Sequence, residues 1–506
     1  LVANVAEGRI EQGASTITQQ LARNAIAGVG EDDSLARKLR EAHTAVRLEE
    51  EYSKDEILEL YLNDVYFGGG AHGIGTAAQR YFGVSPKKLR LPQAALLAGA
   101  IAAPGRFSPY VDEDAARARR NVVLDRMAAL GWIGDKRAEK AKSAPLGYRE
   151  GEPFALRQPR APFFVEYIKR QILRDERFGD TRRARRRLLY QGGLRIDTTL
   201  DLSLQRAARR TARRHLPRPN DPEAAVVAVD PRTGAIVTLL GGKDFDRQKY
   251  NLATQGRRQA GSAFKPFTLV AALERGISSM RRYDGSSPKR IRLPNGKVWK
   301  VRNAGGSSYG RIDLRRATQS SVNTVFAQLI MDVGPERVAR AARRMGIESR
   351  LPAVPSLALG TASVAPLDMA SAFGTLARGG VRCEPFAIAK VTDRSGEVLF
   401  EDSRGNCERV VRNPIAARVV SMLRRVVEDG TGTEARLPGP PVFGKTGTTD
   451  DFADAWFVGC ARQLCTSTWV GHVEGRIPME DVHGTTVYGG TFPARIWHDF
   501  MQTAMD

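Results

Sequence analysis

The sequence predicts two successive architectures. Residues 1 to about 145 read as a helical block, a connector runs from 146 to 195, and an α+β domain with an antiparallel sheet occupies 196 to 506. Three observations carry this division. In the first block KDEILELYLNDVYF (54–67) places apolar residues at helical spacing, and Gly and Pro breaks fall at 68–75 and 104–109. The connector is rich in Pro and Arg, with an aromatic cluster at PFFVEYI (162–168). Beyond it short β runs alternate with helices. AAVVAVDPRTGAIVTLL (224–240) reads as a hairpin around Pro231–Gly234, and PVFGKTGTT (441–449) opens a second strand series. Strands, a helical block and more strands make an α+β domain.

At 506 residues, with 42% hydrophobic and 26% charged residues, the chain suits two or three folded domains. Its longest apolar stretch, LPQAALLAGAIAAPG (91–105), is shorter than the roughly 20 residues of a membrane span and reads as a buried helix. The first residue is Leu1 and no signal-like segment precedes the first motif, so any N-terminal anchor is expected to be missing from this sequence. The net charge of +22 is spread over runs such as TRRARRRLL (181–189), RAARRTARRH (206–215) and RVARAARRM (337–345). Solvated helix faces account for such runs; attraction to a polyanion such as nucleic acid, an anionic membrane or a phosphorylated substrate is the alternative. No zinc-finger spacing or RNA-binding aromatic signature accompanies the charge, and nucleic acid is not an expected partner.

Four cysteines fall in two local pairs. Cys383 and Cys407 flank a strand–turn–strand stretch turning at Asp393–Gly396, and Cys460 and Cys465 flank a four-residue turn. Both pairs suit cross-hairpin disulfides in an oxidising compartment; buried thiols are the competing reading.

In GSAFKPFTL (261–269) an apolar helical stripe continues through Leu269, Val270 and Leu273 toward a stop at Gly276. Pro266 is tolerable only near a helix start, which places Ser262 and Lys265 in the first turn on one face. The lysine is then a solvated charge or the base for the serine. Two further polar motifs bear on the choice: Ser321-Val322-Asn323 ahead of an apolar helix, and Lys445-Thr446-Gly447-Thr448-Thr449 entering a strand. Each is weak alone. In this order they form the motif set of penicillin-binding proteins and class A β-lactamases. Two decoys are dismissed. Gly68–Gly73 fits a dinucleotide fingerprint but follows a helix, and Gly306–Gly310 fits a nucleophile elbow without the strand and helix it needs. Six histidines in no ligand spacing make a zinc site unexpected.

Residues from about 196 to 506 resemble the transpeptidase domain of class A penicillin-binding proteins. GGLRIDTTLD (192–201), PSLALGTASVAPLDMASAFGTLARGG (355–380) and GGTFPARIWHDFM (489–501) add to the motifs. The N-terminal part resembles the family's peptidoglycan glycosyltransferase through GASTITQQLARN (13–24), RKLREAHTAVRLE (37–49), KDEILELYLNDVYFG (54–68) and RNVVLDRM (120–127). The implied fold is a lysozyme-like helical portion followed by a transpeptidase built on a five-stranded antiparallel sheet with helices on both faces.

The resemblance implies that Ser262 is the acylated nucleophile and Lys265 its base, kept neutral by burial and by Lys445. It implies that Ser321 relays a proton and that Asn323 holds Lys265 or the peptide amide. Lys445 and Thr446 would meet the donor carboxylate, Gly447 would let substrate backbone lie against the strand, and the N–H groups of Ser262 and Thr448 would form the oxyanion hole. In the glycosyltransferase, Glu41 matches the second family glutamate; the first, in an acidic-aromatic motif before STITQQ, is expected to precede this sequence. Gln19, Gln20, Arg23, Arg37 and Lys38 match positions that contact a lipid pyrophosphate, with Arg23 standing where lysine is usual. Implied partners are lipid II, peptidoglycan stem peptides, β-lactams and an anionic membrane surface, on the outer face of the bacterial cytoplasmic membrane. Transpeptidation needs no cofactor, whereas glycosyl transfer leaves room for a divalent cation. A carboxypeptidase or β-lactamase-like hydrolase and a non-catalytic penicillin-binding sensor are the alternative functions. The linked glycosyltransferase motifs oppose the first, and the intact Ser262, Lys265 and Lys445 oppose the second.

Overall fold

A computed structural model describes residues 16–25, 35–69, 71, 73–149, 160–245, 247–402 and 405–505, with the side chains of 23–25, 35–41 and 191 outside that description. The chain divides into two units, Leu1–Gln158 and Pro159–Asp506.

The described part of the first unit is helical, as the spacing predicts. Ser53 starts the helix Lys54–Asp64 with a capping box: its hydroxyl accepts from the Glu56 N–H while the Glu56 carboxylate accepts from the Ser53 N–H. That helix buries Ile57 and Tyr61, one turn apart, in a core shared with Leu21, Phe67, Tyr81, Leu96 and Leu97. The apolar stretch 91–105 forms the helix Leu91–Ala100, with Ala95, Leu96, Leu97 and Ala100 buried. No helix among the described residues is long and apolar enough to cross a membrane. Arg120 is fully buried and donates to the carbonyls of Lys142 and Ala144 at the end of the helix Asp135–Ser143. A cation there satisfies orphan carbonyls and meets the negative end of the helix dipole.

The second unit is built on a five-stranded sheet: β1 (Glu223–Val229), β2 (Ile236–Leu240), β3 (Val442–Thr448), β4 (Asp454–Ala461) and β5 (Leu464–Gly471). Its order is β3-β4-β5-β1-β2, and every neighbouring pair is antiparallel. The hairpin expected around Pro231–Gly234 joins β1 to β2. Along β1 alternate residues serve two cores, because successive side chains of a strand point to opposite faces. Ala225, Val227 and Val229 join Trp456, Trp469, Phe264 and Phe267 on one side. Ala224, Val226 and Ala228 join Phe457, Trp497 and Phe500 on the other. The helices Leu202–His215 and Phe492–Met505 cover the second face, and Pro366–Ala377 and Asn413–Glu428 lie against the first. A sheet buried on both sides explains why its strands read as continuous apolar runs.

The expected connector 146–195 straddles the boundary between the units. Its helix Pro162–Arg174 places Phe163, Phe164, Ile168 and Ile172 in the sheet's first core, so the aromatic cluster is packing. The arginine runs lie on solvated helix faces. In Leu202–His215 the buried positions are Gln205, Ala207, Ala208, Thr211 and Ala212, while Arg206, Arg209, Arg210, Arg213 and Arg214 are exposed. Both cysteine pairs form disulfides, each between directly opposed strand residues. Cys383 faces Cys407 with Cα atoms 4.0 Å apart, and Cys460 faces Cys465 across β4 and β5 at 4.1 Å.

Because Phe164 is only 2% exposed and fills this core, Phe164→Ala should destabilise the second unit by about 3–5 kcal/mol. The measurement is the thermal transition of that unit; an unchanged transition would show that residues 160–174 are a linker after all.

Candidate active site

Ser262 lies in a single 3₁₀ turn, Gly261–Phe264, and Lys265 begins the α-helix Lys265–Glu274 that follows. The expected first-turn pairing is therefore delivered by a tighter turn than an α-helix. The helix ends where Gly276 (φ 78°) lets the chain reverse, with the Ile277 N–H donating to the Ala272 carbonyl. Ser262 is half-buried, whereas Lys265 and Lys445 are fully buried.

Four oxygens surround the Lys265 amine. The Ser321 carbonyl and Asn323 Oδ1 lie at 2.7 Å each, Ser262 Oγ at 2.9 Å and Ser321 Oγ at 3.0 Å. The two nearest can only accept. They occupy both hydrogens of a neutral amine and leave its lone pair for a hydroxyl proton. Asn323 is itself oriented, since its Nδ2 donates to the Arg302 carbonyl at 3.0 Å. Burial, with the Lys445 ammonium as a second cause, holds the Lys265 amine well below the ordinary lysine range. The ring of Phe326 lies 5.1 Å from the amine. Sequence reasoning missed this residue, although its i+3 spacing from Asn323 puts both on one helix face.

Lys445, on β3, donates to the same Ser321 hydroxyl at 2.9 Å and to the Thr446 carbonyl at 3.0 Å; burial lowers its pKa to about 7. Ser321 thus bridges the two lysines. Its backbone has φ 55°, in the left-handed region that a residue bearing a Cβ adopts at a cost on the order of 1 kcal/mol. The turn directs both its carbonyl and its hydroxyl at Lys265. Thr446 is held by Thr431, whose hydroxyl lies 2.6 Å from its own, a partner that no sequence signal indicated.

β3 is an edge strand and abuts the serine turn. A Cβ on Gly447 would stand 2.4 Å from the Ala260 carbonyl oxygen, and one on Gly261 (φ 52°) would stand 2.5 Å from that of Thr448. The space expected for substrate backbone at Gly447 is, on this side, taken by the protein's own serine turn, and the two glycines are what allow the contact. It brings the Thr448 backbone beside Ser262. Trp456 fixes the approach, donating its indole N–H to the Gln259 carbonyl at 2.7 Å.

In the first unit Gln19 closes a turn with Thr16, whose N–H it accepts at 3.1 Å, and Gln20 accepts from the Tyr61 hydroxyl at 2.9 Å. Glu41 lies on the helix Leu35–Glu51. The side chains of Arg23, Arg37, Lys38 and Glu41 are outside the described residues. Among the described residues no group of three His, Cys, Asp or Glu side chains could hold a metal ion.

Comparison with known proteins agrees with this geometry. A transglycosylase family model matches residues 1–128, and the penicillin binding protein transpeptidase domain model matches 224–502. Penicillin-binding protein 1A of Aquifex aeolicus is 32% identical over 99% of this chain and 78% of its own length. This chain is a class A penicillin-binding protein. Penicillin-binding protein 2D of Bacillus subtilis is 33% identical over 98% of this chain and 70% of its own. The solved penicillin-binding protein 1A of Haemophilus influenzae shares the fold, with TM-score 0.74, 23% identity and coverage of 98% and 89%. The PonA1 protein of Mycobacterium tuberculosis, in complex with penicillin V, aligns at TM-score 0.60 and 30% identity over 68% of this chain and 92% of its own. A class A penicillin-binding protein joins a peptidoglycan glycosyltransferase to a serine D,D-transpeptidase, and this chain carries both domains.

Two substitutions separate the site's geometry from the fold's stability. Ser321→Gly relieves the left-handed backbone and deletes the bridging hydroxyl. Acylation by a penicillin should slow by about 100-fold or more while the melting temperature holds or rises. Gly447→Ala forces β3 off the Ala260 carbonyl. It should slow acylation more than the similarly small change Ala453→Gly, read as the second-order rate of penicillin adduct formation.

Proposed function

We propose that Ser262 Oγ attacks the carbonyl carbon of the penultimate D-Ala of a donor stem peptide as Lys265 takes its proton. The oxyanion is received by the N–H groups of Ser262 and Thr448. As the tetrahedral intermediate collapses, the proton passes from Lys265 through the Ser321 hydroxyl to the departing D-Ala amine. The acyl-enzyme is then resolved by an amine from a neighbouring stem peptide. Lys445, charged while Lys265 is neutral, pairs with the donor's terminal carboxylate or that of a β-lactam, with Thr446 beside it. The observation that carries this reading is the Lys265 amine, whose hydrogens are committed to two carbonyl oxygens and whose remaining partners are the two hydroxyls.

The first unit, in the same reading, takes lipid II. Arg23, Arg37 and Lys38 would neutralise its pyrophosphate beside Gln19 and Gln20, with Glu41 as the second glutamate of the reaction. Such a substrate places the protein at the outer face of the cytoplasmic membrane.

Incubation with a penicillin should add the full mass of the drug to one peptide containing Ser262, and Ser262→Ala should abolish the adduct. Lys265→Ala should leave a folded protein acylated about two or more orders of magnitude more slowly. An adduct that survives Ser262→Ala overturns the assignment.

The two lysines also set a pH profile. Acylation rises as Lys265 loses its proton, and falls as Lys445 loses the charge that meets the carboxylate, from about 7 upward. Lys445→Arg keeps a cation at every working pH. Its descending limb should move alkaline whatever its maximum, and an unmoved limb would assign that limb to another group.

A further inference from the structure

The hairpin between the serine and Ser321 motifs carries a charge pattern that the acyl-transfer chemistry leaves unused. Strands Lys289–Arg292 and Val298–Val301 pair antiparallel, with Arg290 opposite Lys300, Ile291 opposite Trp299 and Arg292 opposite Val298. One face is anchored. Val301 is 3% exposed, and Trp299 packs against the main core. The other presents Arg290, Arg292, Lys300 and, one step beyond the strand, Arg302, all exposed. Like charges directly opposite each other destabilise a strand pair. The nearby carboxylates are already engaged: Asp284 by Lys289 and Asp313 by Arg315. Among the described residues no carboxylate forms an ion pair with Arg290, Arg292 or Lys300. The cationic face therefore lowers the hairpin's own stability without an internal partner.

The base of the hairpin is tied to the reacting groups. The Arg302 carbonyl accepts from Asn323, which holds Lys265, and the Asn303 carboxamide oxygen accepts from the Thr324 N–H at 3.0 Å. The hairpin that carries this face is therefore joined at its base, through Asn323, to the group that holds Lys265. From residue 280 to 316 the only acids are Asp284 and Asp313, so the segment that carries the hairpin is strongly basic.

We infer that the outward face of the 289–302 hairpin, through Arg290, Arg292 and Lys300, binds the carboxylate-bearing peptides of a glycan strand and holds that strand beside the acyl-enzyme. This rests on the proposed transpeptidase reading, which supplies a polymer with repeated anionic stems. Spaced carboxylates on a flexible polymer suit a row of guanidinium and ammonium groups. Each contact is weak, and the row gains strength from multiple simultaneous engagement.

The test uses the full chain, with and without the triple substitution Arg290→Ser, Arg292→Ser and Lys300→Ser. The probes are soluble un-cross-linked glycan strands bearing pentapeptide stems, the same strands with the stems removed, and vesicles of equal phosphatidylglycerol and phosphatidylcholine. Wild-type protein should bind the stem-bearing strands more weakly as salt rises from 50 to 300 mM, and the triple variant should bind them about tenfold more weakly. Stem-free strands should bind equally to both proteins. Penicillin labelling of Ser262 should be unchanged in the variant, which reports that the site is folded. A charge-preserving variant, Arg290→Lys with Arg292→Lys, should retain strand binding. Equal strand binding by wild type and triple variant overturns the inference and leaves the transpeptidase reading standing. Loss of vesicle binding with strand binding intact also overturns it, assigning the face to an anionic membrane. Failure of Ser262 to label in wild-type protein would instead sink the underlying reading.

Discussion

Two fully buried lysine amines meet at one serine hydroxyl, and the second unit is organised around making that tolerable. A buried ammonium carries a desolvation penalty of several kcal/mol, and two of them repel. The structure relieves this by making the sites unequal. Lys265 is surrounded by carbonyl oxygens and by a hydroxyl on either side, and burial holds its amine well below the ordinary lysine range. Lys445 lies along the edge strand, where an incoming carboxylate can offset its charge. Ser321 touches both, so a proton has a route between them with no group moving more than a hydroxyl rotation. The Lys445 charge lowers the Lys265 pKa, so the state of one lysine bears on the state of the other.

Holding three motifs from distant parts of the chain within hydrogen-bond reach is a packing problem before it is a chemical one. The sheet solves it with alternation: along β1 and β4 apolar residues feed the two cores in turn, so the strands cannot slip by one residue without turning both cores out. β3 then lies at a fixed edge. The serine turn is held against that edge by Trp456 from β4, and two glycines remove the side chains that would wedge the turn and strand apart. Strain is accepted at Ser321, inside a loop whose two ends are fixed by buried helices.

Much of this was legible in the sequence, for identifiable reasons. Hairpins betray themselves by turn residues between apolar runs, so β1 with β2 and the cysteine-flanked turn between β4 and β5 could be placed. The helix over Lys54–Asp64 follows from apolar spacing and a capping box. Ser262, Lys265, Ser321, Asn323 and Lys445 were found because their order and context form a recognisable set, and the structure brings all five together. Contacts that depend on which elements become neighbours were not legible. Thr431 against Thr446 and Trp456 on Gln259 join segments with no local mark of the pairing. The contact that Gly447 makes with the Ala260 carbonyl, 187 positions away in sequence, leaves no local mark either. The packing of the connector's Phe163 and Phe164 is hidden for a related reason: the other walls of their core come much later in the chain.

The distribution of the two basic residue types follows from the same physics. A guanidinium keeps its proton under any working condition, so it can decorate a surface but cannot serve as a base. A lysine amine changes state readily when it is buried. The chain follows this rule. Arginines line the solvated faces of Leu202–His215 and Pro335–Met345, where a permanent charge is harmless. The two fully buried amines at the centre are lysines. Among the described residues the fully buried arginine, Arg120, caps a helix and its charge meets only carbonyl oxygens. A net charge of +22 thus describes a large population exposed to solvent and a few buried lysines whose burial makes their charge costly.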